Sequence, residues 1–281
     1  MKKVSQTITV TGMILSALPI GEYDKRVVIL SRERGKISAF ARGARRPNSM
    51  LVGTTGPFLF GTFTLYEGRS SYTLQQAEIQ NYFGELRTDI EAVTYGFYFL
   101  EFAEYCTREN NDETEILKLL YQTMRIVVKR SISLPLIRCI FELKMICLEG
   151  EAPQAFACAG CGRTEELSRF SASRGGMLCP DCAGQAADVL PFGQSALYAL
   201  QFIEGTPVEK LYTFTVSDDV LAQLKKAAKR CVDVYIGHTF RSLEMHGIDL
   251  SEAPGRKNGR IVRKTGRKNR GCACKSGRIT V

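Results

Sequence analysis

The chain has 281 residues, longer than the roughly 100–200 of a typical domain, so more than one structural unit is expected. Hydrophobic residues at 44% and charged residues at 24% exclude a mainly disordered, collagenous or coiled-coil chain. The longest apolar stretches are interrupted by Glu101, Glu104, Arg138, Glu142 and Lys144, well short of about 18 uninterrupted apolar residues, so no membrane helix is expected.

After Met1-Lys2-Lys3 the residues alternate, with Thr7, Thr9 and Thr11 between Ile8 and Val10. That is strand periodicity where a secretory signal has a solid apolar run, so a cytoplasmic location is expected. The net charge of +9 is unevenly spread. Residues 255–281 carry 10 of the 38 Lys and Arg and no acidic residue, residues 1–80 are net +6, and residues 81–254 are net −7. A basic start, an acidic middle and a basic tail suit a protein that grips polyanions at its ends. Gly, Arg, Lys and Asn in the tail leave little apolar surface to bury, and disorder in isolation is expected there.

Five short strands are predicted in the first 80 residues: Gln6 to Ile14, Lys25 to Leu30, Lys36 to Arg42, Phe58 to Tyr66 and Tyr72 to Ile79. Gly, Pro, Asn and Ser punctuate each break. Five strands in this length fit a small closed barrel of the oligonucleotide-binding (OB) type, with an open sheet or an SH3-like barrel as alternatives that periodicity does not separate. From residue 84 the period becomes helical. Thr88 with Glu91 and Asp112 with Glu115 read as capping boxes, and Leu134 to Glu149 has Pro135 in its first turn and Gly150 beyond its end. Helical patterning resumes at Ser195 to Ile203 and again from an N-cap at Ser217 to about Met245. The fold class is therefore α+β and multidomain: an OB barrel (1–80), a helical domain in two parts (81–152 and 188–250) around an insert (153–187), and a basic tail (251–281).

The insert carries Cys158-Ala159-Gly160-Cys161 and Cys179-Pro180-Asp181-Cys182, two C-x-x-C knuckles separated by 17 residues. Each knuckle sets two thiolates on one side of a tight loop, and two pairs complete a tetrahedral set for structural Zn2+. Disulfides conflict with a reducing compartment, and a thioredoxin-like pair needs one C-x-x-C in a βαβ setting. Four thiolates leave no open coordination position for catalysis. Cys106, Cys139, Cys147 and Cys231 fall on apolar helical patterns and are expected in the core, while Cys272 and Cys274 in the tail receive no role.

No active site emerges, and a non-enzyme is expected. His238 and His246 are placed two turns apart on the last helix, too far to share a metal without other ligands. Gly35-Lys36 lacks the upstream glycine and following Ser or Thr of a P-loop, and no G-x-G-x-x-G follows a strand. The carboxylates of Glu101, Glu104, Asp218 and Asp219 are accounted for by helix faces and N-termini.

Nucleic acid is the ligand that the first unit suggests. Lys25, Arg26, Arg32, Arg34, Lys36, Arg42, Arg45 and Arg46 fall within 22 positions, opposed by Asp24 and Glu33. On a curved barrel a strand, turn and strand bring such groups to one edge as a groove for phosphates; a solvated barrel surface is the alternative. Tyr23, Phe40, Phe58, Phe60, Phe63, Tyr66 and Tyr72 are candidate stacking platforms, about half of which alternation turns inward.

The run from Gly21 to Val28, followed by Arg34 to Ser49 with its Gly43-Ala44-Arg45-Arg46-Pro47-Asn48 segment, resembles the amino-terminal signature of the bacterial RecO recombination mediators. The order of a helical region interrupted by a four-cysteine insert is similar to that family as well. The resemblance covers about residues 1–250 and leaves out the basic tail. It implies an OB domain that binds single- and double-stranded DNA, ATP-independent annealing of complementary strands, and loading of RecA onto strands coated by single-strand-binding protein. It further implies partnership with RecR, recognition of the acidic tail of single-strand-binding protein, a nucleoid-associated cytoplasmic location, and Lys36, Arg42, Arg45 and Arg46 as the first residues to test. Lys225, Lys226, Lys229 and Arg230 form a basic helix face that reads as solvated surface. A protein-interaction scaffold with nonspecific nucleic-acid adhesion is the competing reading, and a zinc-containing nuclease a third.

Overall fold

The structure is a computed structural model that describes residues 6–244. The basic tail, Cys272, Cys274 and His246 lie outside the described residues.

Five strands, β1 (Gln6–Ile20), β2 (Asp24–Ser31), β3 (Gly35–Ala41), β4 (Phe60–Glu67) and β5 (Tyr72–Asn81), close into a barrel in the order β1-β2-β3-β5-β4. All pairings are antiparallel except β3 with β5, which meet in parallel at Ala39↔Tyr72 and Phe40↔Thr73. This is the five-stranded OB arrangement. β1 closes it by pairing with β2 along one stretch and with β4 along another, which its 15 residues and the register shift between Ile14 and Ser16 permit. The strand therefore runs past the expected end at Ile14. Val10, Ile14, Val27, Ile29, Ile37, Ala39, Phe63, Leu65 and Leu74 fill the interior at every second position.

The outward neighbours Met13, Leu15, Val28 and Leu30 are buried too, because helices cover this side of β1 and β2. These are α1 (Ile90–Cys106) and α2 (Thr114–Lys129), followed by α3 (Leu134–Leu148). The cap of α1 differs from the expected Thr88: Asp89 Oδ1 accepts the Glu91 and Ala92 N–H groups, both at 3.0 Å. Asp satisfies the orphan donors directly and needs no reciprocal partner. In α3 the charges that interrupt the apolar run are internal. Glu142 accepts from Tyr98 Oη and from Arg138 Nε at 2.6 Å, and Lys144 Nζ donates to the carbonyls of Ile203, Glu204 and Thr206 at 3.2, 3.0 and 2.8 Å.

The insert is a three-stranded sheet of β6 (Arg169–Ser171), β7 (Gly176–Leu178) and β8 (Leu190–Pro191) in the order β7-β6-β8, with the short α4 (Pro180–Ala183) after β7. The helical domain resumes with α5 (Gln194–Gly205) and α6 (Asp218–Cys231). The expected continuous helix to about Met245 is broken. After α6 the chain makes a wider π-type turn over Val232–Ile236 and stops at Gly237, whose φ of 61° lies in the left-handed region. His238 is consequently off the helix, exposed and stacked on Tyr105 with ring centroids 4.2 Å apart. Phe240 is buried against Tyr98 and Phe102, and α7 (Arg241–Glu244) is held by Glu101, which accepts from the Arg241 and Ser242 backbone at 3.0 Å each and from Ser242 Oγ at 2.7 Å.

Candidate nucleic-acid interface and metal site

The eight basic residues of the first unit divide between the two ends of the β2–β3 hairpin, which are about 20 Å apart at some 3.3 Å per residue. At the open end the chain folds back over the β1–β2 turn. Gly43 N–H donates to Asp24 Oδ1 at 2.7 Å and Arg45 N–H to the Tyr23 carbonyl at 2.9 Å, so Arg42, Arg45 and Arg46 gather beside the turn. Arg46 lies 5.0 Å over the Tyr23 ring, Arg45 donates to the Gly21 carbonyl at 3.2 Å, and Arg26 is fixed by Ser38 Oγ at 2.8 Å. Arg42 has no hydrogen bond or ion pair among the described residues, and all four guanidiniums are exposed. Asp24, one of the two opposing acids, is occupied by Gly43.

Lys25 stands behind this group, its Nζ 3.2 Å from Thr55 Oγ1. Burial, reinforced by the Arg45 charge, lowers its pKa from the usual lysine value.

The other end is docked on the helical domain. Gly35 forms an antiparallel bridge with Glu109, Lys36 N–H donates to the Arg108 carbonyl at 2.9 Å, and Asn110 N–H donates to the Arg34 carbonyl at 2.9 Å. Gly35 has φ 62°, and a Cβ there would lie 2.3 Å from the Arg108 carbonyl oxygen, so both conformation and space demand glycine. The Lys36 ammonium donates to the Glu104 carbonyl in the last turns of α1, a cation on a helix C-terminus. Arg34 reaches Glu67 at 3.8 Å, and Glu67 in turn accepts from Tyr72 Oη at 3.4 Å. Burial first, then the Glu67 and Glu109 charges, push the Tyr72 hydroxyl up to about 12. Arg32 at the turn is exposed but paired with Glu33 at 2.9 Å. A shallow polar cavity of about 510 Å³ lies between this turn and Asn110, Asn111 and Asp112.

Of the candidate aromatics, Phe58, Phe63 and Tyr72 are buried, Phe60 is half-buried against Tyr121, and Tyr23, Phe40 and Tyr66 are exposed; alternation sets the strand residues Phe40, Phe63, Tyr66 and Tyr72, while Tyr23 and Phe58 lie in turns. One cation escaped the sequence reasoning: Arg69, exposed in the β4–β5 turn. It is isolated in sequence, and the signal that finds it is topological, since an OB barrel brings the β1–β2 and β4–β5 loops alongside its β2–β3 face.

In the insert, the four Sγ atoms of Cys158, Cys161, Cys179 and Cys182 lie within 4.8 Å of one another. Cys179 Sγ is 3.8 Å from both Cys158 Sγ and Cys161 Sγ, the edge of about 3.8 Å of a tetrahedron whose centre is roughly 2.3 Å from each sulfur. The Gly160 and Cys179 N–H groups each point at Cys158 Sγ from 3.4 Å. Burial raises the Cys158 thiol, but these N–H donors outweigh it and bring the pKa down to about 6, favouring the thiolate a metal requires. Its partners Cys179, Cys161 and Cys158 act on Cys182 in the opposite sense, to about 12, as expected where four thiols share few protons. The set can bind a metal ion. Cys106, Cys139 and Cys231 are buried and Cys147 is half-buried, in the apolar packing of the helices.

A closed OB barrel with one basic end, seated on a helical domain that carries a four-thiol module, defines a protein of the OB-barrel class with a helical body. Family profiles match both parts: residues 1–83 match Recombination protein O N terminal, and residues 87–244 match Recombination protein O C terminal. The chain is 32% identical over 240 residues to the DNA repair protein RecO of Alkaliphilus metalliredigens, covering 85% of this chain and 98% of that one. It is 29% identical to the DNA repair proteins RecO of Acetivibrio thermocellus and Bacillus cereus, covering 83% of this chain and 94% of each relative. The chain belongs to the RecO family. No helix among the described residues is long and apolar enough to cross a membrane.

Proposed function

We propose that the chain is a mediator of recombinational DNA repair that works through binding energy and not through nucleotide hydrolysis. It binds single- and double-stranded DNA at the open end of the hairpin, anneals complementary strands coated by single-strand-binding protein, and helps load RecA in partnership with RecR in the nucleoid-bearing cytoplasm. The observation that carries this reading is the gathering of Arg26, Arg42, Arg45 and Arg46 on one exposed end of an OB barrel in a RecO-family chain. Each phosphate neutralised by such a group releases counterions, which supplies affinity without sequence preference. That suits a protein that must act on any strand.

The cysteine module takes Zn2+ as a structural ion. Four thiolates at tetrahedral spacing are a closed donor set, so the metal staples the insert and offers no position to a substrate. Removing it with a chelator, or substituting Cys179→Ser, is expected to lower the thermal transition and release one zinc per chain, measured by calorimetry and metal analysis.

The functional test follows annealing of two complementary labelled strands, each precoated with single-strand-binding protein, without ATP and across a salt series. Acceleration that fades with salt is the expected result. No acceleration by a folded, zinc-loaded sample overturns the mediator reading in favour of a scaffold.

A further inference from the structure

The registers of four strand pairs align one row of outward positions across the barrel. Leu18 pairs with Arg26, Arg26 with Phe40, Phe40 with Thr73, and Thr73 with Tyr66. The row has no carboxylate and contains two aromatic rings, Phe40 at 39% and Tyr66 at 40% exposure. Their outward orientation is imposed by the backbone. Phe40 lies between the buried Ala39 and Ala41, and Tyr66 between the buried Leu65 and Glu67, so the pleat leaves no inward alternative. Neither ring pairs with another aromatic among the described residues, whereas the outward apolar residues on β1 and β2, Met13, Leu15, Val28 and Leu30, are covered by helices. The helical domain thus buries one side of the barrel and leaves bare the side that carries rings.

We infer that the row Arg26–Phe40–Thr73–Tyr66 is a base-stacking platform that selects unpaired nucleotides over duplex. The inference rests on the proposed function and adds to it the source of strand preference. Phe40 and Tyr66 are two strands apart, roughly 10 Å, so a single strand crossing the sheet lays bases on both rings in succession. Arg26, held by Ser38 at 2.8 Å, adds a planar cation beside Phe40, and Arg42, two residues beyond Phe40 on the same side of the chain, meets the phosphates. Arg69, exposed in the turn that follows β4, adds a cation on the edge of the row opposite Arg42, since β5 enters parallel to β3 and the turn before it points toward Lys36. In a duplex the faces of the bases are already stacked on one another and cannot reach the rings. The guanidiniums of the open end serve either form of DNA, and the rings serve one.

The test compares wild type, Phe40→Ala, Tyr66→Ala and Arg42→Glu for binding of a labelled oligothymidylate and of a blunt duplex of equal length, over a salt series. Each alanine is expected to weaken single-strand binding about tenfold, to leave duplex binding within about twofold, and to keep the slope of affinity against salt, because stacking releases no counterions. Arg42→Glu is expected to weaken both and to flatten the slope. Equal losses on the two substrates, or no loss on the single strand, overturn the platform and leave the proposed function standing. A wild type that binds neither substrate overturns both. The chain contains no tryptophan, so Phe40→Trp supplies the sole indole and tests the platform without removing a ring. Its fluorescence is expected to be quenched by the single strand and not by the duplex, and equal response to the two overturns the inference.

Discussion

The two ends of the β2–β3 hairpin carry cations of the same kinds and have opposite roles. At one end Arg26, Arg42, Arg45 and Arg46 project into solvent around the β1–β2 turn. At the other Lys36 is spent on the Glu104 carbonyl, Arg34 on Glu67 and Arg32 on Glu33. A cluster of positive charge in a sequence is thus two populations, one that satisfies internal acceptors and one that is available to a polyanion, and the partner of each side chain decides its membership.

The difference can be broken most directly by reversing charge at the open end. Substituting Arg42→Glu, Arg45→Glu and Arg46→Glu together is expected to weaken DNA binding at least about a hundredfold at low salt and to reduce the salt slope by about 2 to 3, measured by fluorescence anisotropy. Thermal stability should stay within about 0.5 kcal/mol of the parent, since no buried contact is lost. At the docked end the signature inverts. Gly35→Ala forces a left-handed alanine against the Arg108 carbonyl and should cost about 2–3 kcal/mol in denaturant unfolding. Lys36→Met leaves the Glu104 carbonyl without its cation and should cost about 1–2 kcal/mol. Both are expected to keep the salt slope of DNA binding.

The smallest effect concerns Glu101, which steadies the same helix α1 from another side. Burial raises the Glu101 carboxyl, but hydrogen bonds from Ser242 and Arg241, with the nearby His238, outweigh it and hold the pKa below the usual glutamate value. Its contribution is fully present above the unfolded value of about 4.3 and is lost as pH falls through the lower folded value. Comparison of Glu101→Gln with wild type should therefore show a stability gap at neutral pH that closes below about pH 4, with DNA binding at neutral pH unaffected.

Much of this was legible in local pattern. Five strands, the Pro135 and Gly150 ends of α3 and the two cysteine knuckles rest on short-range signals, and each is present, with β1 running on to Ile20 and β4 starting at Phe60. What was illegible depends on contacts distant in sequence. Lys36 and Phe40 share an outward parity on β3, yet one is under the end of α1 and the other in solvent, and nothing within the strand tells them apart. Arg69 was missed for the same reason, as its neighbours come from topology. The helical period after α6 concealed the stop at Gly237 because Phe240 beyond it supplies an apolar position that packs onto α1 and not along a continued helix.

The docking of the Arg32–Arg34 turn has a consequence for how such chains can vary in length. A turn that merely joins two strands accepts added residues at small cost, because they extend into water. This one is a tenon, cut to fit between Arg108 and Asn110, and one added residue would displace the Gly35 bridge and swing the barrel away from its seat. The β4–β5 turn, Gly68–Ser71, is tied to the same joint, because Glu67 before it pairs with Arg34 and accepts from Tyr72 after it, so added residues there would disturb the seat as well.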